Sequence, residues 1–131
     1  KEDLLLDKFE RDNNITTKKT ATGLRYCRIK NGEGEIASFG KRVELFYSGK
    51  FLNGIEFNST KRLENGVQEF YVGQELQVLK GIEEALLFMK SGDVLLLLLP
   101  SWIAFGEKGS STGIVEGKTP VIYEVELKKL N

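Results

Sequence analysis

Two spacings of apolar residues alternate along this chain, and they divide it into one convincing helix and a set of strands. Leu76, Leu79, Ile82, Leu86 and Met89 recur at intervals of three and four, and Ser91-Gly92 follows as a stop; the spacing predicts a helix from about Leu76 to Met89. Elsewhere the period is two. Leu24 and Tyr26, then Val43, Leu45 and Tyr47, then Val121, Tyr123, Val125 and Leu127 alternate with their neighbours as half-buried strands do. Val94 to Leu99 is apolar at every position, as for a strand covered on both faces, and Pro100 ends it. Glu69 to Val72 reads as a short strand closed by Gly73. Asn53-Gly54 predicts a tight hairpin with positive φ at both turn positions, joining Lys50–Leu52 to Ile55–Asn58.

Strands, one helix, then strands, with hairpin rather than crossover connections, imply an α+β fold: an antiparallel sheet of four to six strands curled over one central helix. Ahead of it, Leu4, Leu5, Leu6 and Phe9 lie among charges in a short predicted helix. Asn13-Asn14 ends that helix, and a threonine-rich connector runs on to Thr22. The expected organisation is an N-terminal leader over residues 1–22 and a single domain over 23–131. The leader's leucines have two readings: packing on their own domain or disorder, against a homodimer contact.

Composition narrows the chemistry. A length of 131 residues suits one domain, and 19 basic residues balance 19 acidic ones. A zero formal charge supplies no electrostatic pull toward nucleic acid. Histidine is absent, which removes the commonest metal ligand and the commonest general base. The single cysteine, Cys27, forms neither an intramolecular disulfide nor a zinc site and reads as a packed core thiol. The first residue, Lys1, is not Met. A removed signal peptide and a simple truncation explain that equally.

A longer pattern runs through these elements. Val43-Glu-Leu-Phe-Tyr47-Ser-Gly49 is followed by Asn53-Gly54-Ile-Glu-Phe57-Asn58-Ser59 and Phe70-Tyr-Val-Gly73. Then come Val78-Leu-Lys-Gly81-Ile82, Met89-Lys-Ser-Gly92, Ala104-Phe105-Gly106, Gly113-Ile114-Val115 and Val121-Ile-Tyr-Glu-Val-Glu-Leu127. In order and spacing this resembles the FKBP-type peptidyl-prolyl isomerases. The resemblance implies a half-barrel sheet wrapped over one helix, and a function of rotating X-Pro bonds in proline-containing segments of unfolded or exported proteins. It implies no cofactor, no metal and no nucleic acid. The stretch from Phe9 to Tyr26 is similar to the segment before the domain in bacterial envelope members, the macrophage infectivity potentiators. That likeness brings an expectation of a periplasmic or lipid-anchored folding factor.

Carried over position by position, the resemblance places Tyr47, Asn58 and Phe105 in the catalytic group. Phe57, Phe70, Val78, Leu79, Ile82, Ile114 and Tyr123 fall on the proline-binding wall. Three positions depart from the family pattern. Asn58 stands for an aspartate, Ile82 for the tryptophan that floors the pocket, and Phe105 for a tyrosine. Losing one hydroxyl forfeits a hydrogen bond worth about 0.5–1.5 kcal/mol. Losing an indole face forfeits stacking of about the same size. The expectation is therefore a weakly active isomerase, with a non-catalytic peptide-binding or chaperone module as the alternative. Trp102 reads either as a surface-packed ring or as a substitute platform for the missing tryptophan.

Overall fold

The computed structural model describes residues 1–75 and 77–130, with 129 and 130 by backbone alone. In chain order the elements are α1 (Glu2–Asp12), β1 (Lys18–Lys19), β2 (Arg25–Lys30), β3 (Arg42–Lys50), β4 (Glu56–Ser59), β5 (Gln68–Tyr71), α2 (Lys80–Leu86), β6 (Val94–Leu99) and β7 (Val121–Leu130). Among the described residues the strands form one antiparallel seven-stranded sheet, in the order β1-β2-β6-β7-β3-β4, with β5 also on β3. The count exceeds the four to six expected because β1 is a two-residue strand that carries no apolar alternation. The connections also differ from the all-hairpin expectation: β2 neighbours β6, and β3 neighbours β7, so the chain passes across the sheet twice.

One edge of β3 serves two strands. Residues 42–45 pair with β5 and residues 48–50 with β4. Between them the ladder is interrupted at Tyr47, and the fully buried Thr60 fills the gap. Its hydroxyl accepts from the Tyr47 N–H at 3.2 Å and donates to the Tyr47 carbonyl at 3.5 Å. A backbone donor that would otherwise lie unpaired in the interior is thus satisfied.

The helix α2 lies on the concave face of the sheet. Ile82, Ala85, Leu86 and Met89 join Val43, Leu45, Leu95, Leu97, Leu99, Val125 and Leu127 in one core. It is shorter than the spacing predicts. Leu79 is extended (φ −61°, ψ 151°), and the chain beyond Leu86 tightens into turns in which Met89 N–H reaches the Leu86 carbonyl. The 3–4 period thus reports a shared buried face, and the helix occupies only its middle; Leu76 lies outside the described residues. Gly81 permits the close approach of helix to sheet: a Cβ there would come within 2.5 Å of Leu99 Cδ2.

The other face of the sheet explains why Leu98 is as buried as Leu97. Arg25, Leu98 and Ile122 stand in one cross-strand row, all nearly inaccessible, yet Leu98 and Ile122 are not part of the concave core. Helix α1 reaches this row. Asp3, Leu6, Asp7 and Glu10 share one helical face. Arg25 donates to Asp7 at 2.7 Å, to Glu10 at 2.8 Å and to Asp3, while Leu6 is fully buried. Glu2 accepts from the Ser101 N–H and hydroxyl at 2.7 and 2.6 Å. The leader helix therefore packs on its own domain, leaving Leu4 and Leu5 exposed.

The hairpin at Asn53-Gly54 forms with a different turn. Gly54 has φ 91°, but Asn53 stays in the ordinary region. The Asn53 side chain accepts from the Ile55 N–H at 2.9 Å, and Phe51 and Ile55 close a loop one residue longer than a two-residue turn. An asparagine side chain that bridges its own loop removes the need for a second left-handed residue.

Candidate functional site

A second row across the sheet builds the site. Leu97, Tyr123, Gly49 and Asn58 lie side by side on β6, β7, β3 and β4. Cross-strand neighbours share a face, so Tyr123 and Asn58 both rise on the concave side with Gly49 between them. A Cβ on Gly49 would meet the Tyr123 ring at 2.5 Å and its hydroxyl at 2.9 Å. The bare glycine is what lets the ring lie across β3 and bring its hydroxyl to Asn58. Asn58 Nδ2 donates to that hydroxyl at 3.0 Å, and Asn58 Oδ1 accepts from Arg62 Nε at 3.2 Å.

Strict alternation would send Phe57 to the opposite face from Asn58. The register shifts there: Gly49 pairs with Asn58 and Lys50 with Glu56, so Phe57 is the extra residue of a β-bulge. The bulge turns Phe57 onto the concave side. Its ring meets Tyr123 edge-on (centroids 5.9 Å apart), Phe105 edge-on (5.8 Å) and Phe51 at 4.7 Å. Tyr47, two residues before Gly49 on β3, meets Tyr123 at 5.7 Å.

These rings wall a hollow of about 290 Å³ lined by Tyr47, Asn58, Gln77, Val78, Leu79, Ile82, Phe105 and Tyr123. A second hollow of about 560 Å³ adjoins it, lined by Phe57, Arg62, Ser110 to Thr112, Ile114 and Val115, and the two share Asn58 and Phe105. Sequence-predicted site residues thus divide into three groups. Tyr47, Asn58, Val78, Leu79, Ile82, Phe105 and Tyr123 meet around the first hollow. Phe57 and Ile114 border the second. Phe70 is brought to neither: it is buried in the core and faces a separate groove with Phe39 and Val72. Its strand β5 pairs with the far half of β3, around Val43, so its side chain stands well along the strand from Tyr47. Trp102 also lies elsewhere, donating from its indole to the Thr22 carbonyl at 2.7 Å, a surface-packed ring. Gly49, Thr60, Arg62 and Gln77 were not singled out as site residues. A glycine inside a strand is the one signal among these, since it marks close backbone or side-chain approach.

Arg62 is the sole ionisable group besides the two phenols lining these hollows among the described residues. Burial pushes the Tyr47 phenol up, with Arg62 partly offsetting it. Burial likewise pushes Tyr123 up, to about 12, against the opposing Asn58 hydrogen bond, so both remain protonated at any ordinary pH. No cluster of three His, Cys, Asp or Glu that could hold a metal ion occurs among the described residues. The site offers apolar walls, hydroxyls, the two amides of Asn58 and Gln77 and the Arg62 guanidinium, and, among the described residues, no histidine, carboxylate or thiol to act as general base or thiolate nucleophile.

A curled antiparallel sheet over one short helix, with an aromatic-walled hollow between them, is a half-barrel architecture. Residues 33–128 match the family described as FKBP-type peptidyl-prolyl cis-trans isomerase. The chain belongs to that family. It is 34% identical over 105 residues to the mouse protein named peptidyl-prolyl cis-trans isomerase FKBP2, covering 80% of this chain and 69% of that one. It is 30% identical over 110 residues to peptidyl-prolyl cis-trans isomerase Mip of Coxiella burnetii, covering 84% of this chain but 46% of the relative. The crystal structure of FkpA from Escherichia coli superposes with a TM-score of 0.81 at 24% identity, over 99% of this chain and 59% of that one, a likeness of fold.

Proposed function

We propose that this chain is a peptidyl-prolyl cis-trans isomerase of reduced activity, taking a prolyl ring of an unfolded or exported protein into the hollow between Tyr47, Ile82, Phe105 and Tyr123. The observation that carries the reading is an open-mouthed, aromatic-walled hollow of about 290 Å³ whose lining side chains are all uncharged. Rotation about an X-Pro bond faces a barrier of about 20 kcal/mol and takes tens of seconds or longer unaided. On twisting, the amide loses resonance and its charge separation falls. A dry apolar wall favours that state over the planar one, and no proton transfer to a side chain is required. The catalytic group is Tyr47, Asn58 and Phe105; Phe57, Val78, Leu79, Ile82, Ile114 and Tyr123 form the binding wall. Phe70 is kept as core support.

The test is exchange of a proline-containing peptide with and without the protein. The expected outcome is a catalysed rate that is lost in Tyr47→Ala, with folding retained. A folded protein that leaves the exchange rate at its unaided value refutes the reading. A specific observation favours a second reading: Ile82 and Phe105 stand where the family pattern has ring and hydroxyl. Without them the same hollow holds peptide as a non-catalytic chaperone module. Peptide binding without catalysis selects that reading.

We further infer that residues 1–22 serve as a leader to a domain over 23–131, and that the protein works in a bacterial envelope, tethered upstream of Lys1. The likeness of the Phe9–Tyr26 segment and the relative named Mip support this. Among the described residues no helix is long and apolar enough to cross a membrane. Fractionation of the full-length product tests the location. A homodimer through the N-terminal segment has Leu4 and Leu5 at its disposal, because the Leu6 face already lies on the sheet; sedimentation tests it.

A further inference from the structure

The hydrogen bonds at the rim of the hollow have a fixed polarity, and it decides what the Tyr123 hydroxyl can do. An arginine only donates. With Arg62 Nε at 3.2 Å, the oxygen of the Asn58 amide must face the guanidinium, and the nitrogen must face Tyr123. The amide nitrogen only donates, so the Tyr123 oxygen is the acceptor of the 3.0 Å bond. Its own hydrogen is left over. No acceptor for that hydrogen occurs among the described residues, and the residue lines the hollow while being 1% exposed overall.

Resting on the isomerase reading above, we propose that Tyr123 is a catalytic hydrogen-bond donor, and that Arg62 and Asn58 position it by holding its oxygen as an acceptor so that its hydrogen points to the prolyl nitrogen of the bound peptide. In a planar amide the nitrogen lone pair is delocalised and accepts no hydrogen bond. On twisting, the pair localises on nitrogen and becomes an acceptor. A donor placed there makes its bond only in the transition state, which is the condition for raising kcat rather than tightening ground-state binding. Burial among Tyr47, Phe57 and Ile82 keeps water from competing for the same hydrogen. The hydroxyl missing at Phe105 thus has a counterpart on the opposite wall, and the neutral Asn58 is part of the device. An aspartate at 58 would accept from both neighbours, and Tyr123 would turn its hydrogen to the carboxylate and away from the substrate.

The experiment measures kcat and KM for a proline-containing tetrapeptide with the parent, Tyr123→Phe and Asn58→Asp, with folding checked by thermal melting. Tyr123→Phe removes one oxygen and keeps the wall; the expected result is a kcat lower by about fivefold to tenfold with KM little changed. Asn58→Asp is expected to lower kcat as well. An unchanged kcat in Tyr123→Phe, a rise confined to KM, or a higher kcat in Asn58→Asp overturns the inference while leaving the isomerase reading intact. A parent without activity refutes that reading itself, and this inference with it. Should Tyr123→Phe fail to fold, the sign of the Asn58→Asp effect decides alone.

Discussion

Gly49 stands opposite Tyr123 in the β3–β7 ladder, and the phenol ring lies where any side chain on Gly49 would be. The position has no positive φ, so the glycine is there for space alone. Gly49→Ala would set a methyl 2.5 Å from a ring carbon held against Tyr47 and Phe57. Overpacking of this kind costs about 1–3 kcal/mol. The expected outcome is a lower Tm together with a collapse in peptide turnover, because the displaced hydroxyl leaves Asn58. Retained turnover in the variant would mean that the ring position does not matter.

The pH profile gives an independent check. Burial holds both phenols protonated, Tyr123 with a pKa of about 12, and the only other ionisable group lining either hollow among the described residues is an arginine. There is no histidine in the chain. Peptide turnover should therefore be flat from about pH 5 to about pH 9, the range in which a histidine-dependent enzyme changes most. A bell-shaped profile would place a titrating group at the site and contradict its geometry.

Acid stability depends on Asp93. Its inaccessible carboxylate accepts from the Gly32 N–H at 2.5 Å, the Lys90 N–H at 2.8 Å and Arg28, tying the Asn31-Gly32 loop to the start of β6. Burial alone would raise its pKa; the two backbone bonds and Arg28 outweigh burial and hold it below the ordinary value of 3.8. A depressed folded-state pKa stabilises the fold above the unfolded value, and that contribution is lost as pH falls through the folded one. Asp93→Asn should cost about 1.5–3 kcal/mol at neutral pH, the usual worth of a charge-assisted bond. The gap between parent and variant should close below about pH 4. Melting curves of both proteins across that range test the sign; a gap that widens in acid refutes the assignment.

The parts of this molecule legible in its sequence are those governed by periodicity. Val43, Leu45 and Tyr47, and Val121 to Leu127, alternate as strands and are strands. The all-apolar Val94–Leu99 is a strand buried throughout on the face of Leu95, Leu97 and Leu99, and on the other face buried only at Leu98, with Val94 and Leu96 half-buried. The helix is shorter than its apolar spacing predicts because Leu79 and Met89 pack on its core side without sharing its helical backbone. The site resisted for a different reason. Phe57 and Asn58 are adjacent in sequence, and only a bulge brings both to the same face. Phe70 carries the apolar character expected of a wall, yet strand register sets it beside Val43 rather than Tyr47. The chain Arg62–Asn58–Tyr123 joins residues that sequence spacing cannot pair.

Phe105 sits between the two hollows, its ring edge-on to Phe57, and it is the position at which a single atom tests the proposed site. Phe105→Tyr adds a hydroxyl without changing the ring. If that group meets a peptide carbonyl, one hydrogen bond of about 0.5–1.5 kcal/mol should raise turnover by about twofold to tenfold, with Tm nearly unchanged. Ile82→Trp aims at the same end by restoring a ring to the floor, but Ile82 is 1% exposed and shares the core with Leu86 and Met89. The larger ring should cost about 1–3 kcal/mol of stability before any gain in stacking appears. The two changes therefore separate: Phe105→Tyr should alter rate without stability, and Ile82→Trp should alter stability first. Turnover and melting measured on both single variants check this. A folded Phe105→Tyr variant no faster than the parent would show that the mouth of the hollow lacks a carbonyl to receive the hydroxyl, leaving the donor role to the opposite wall.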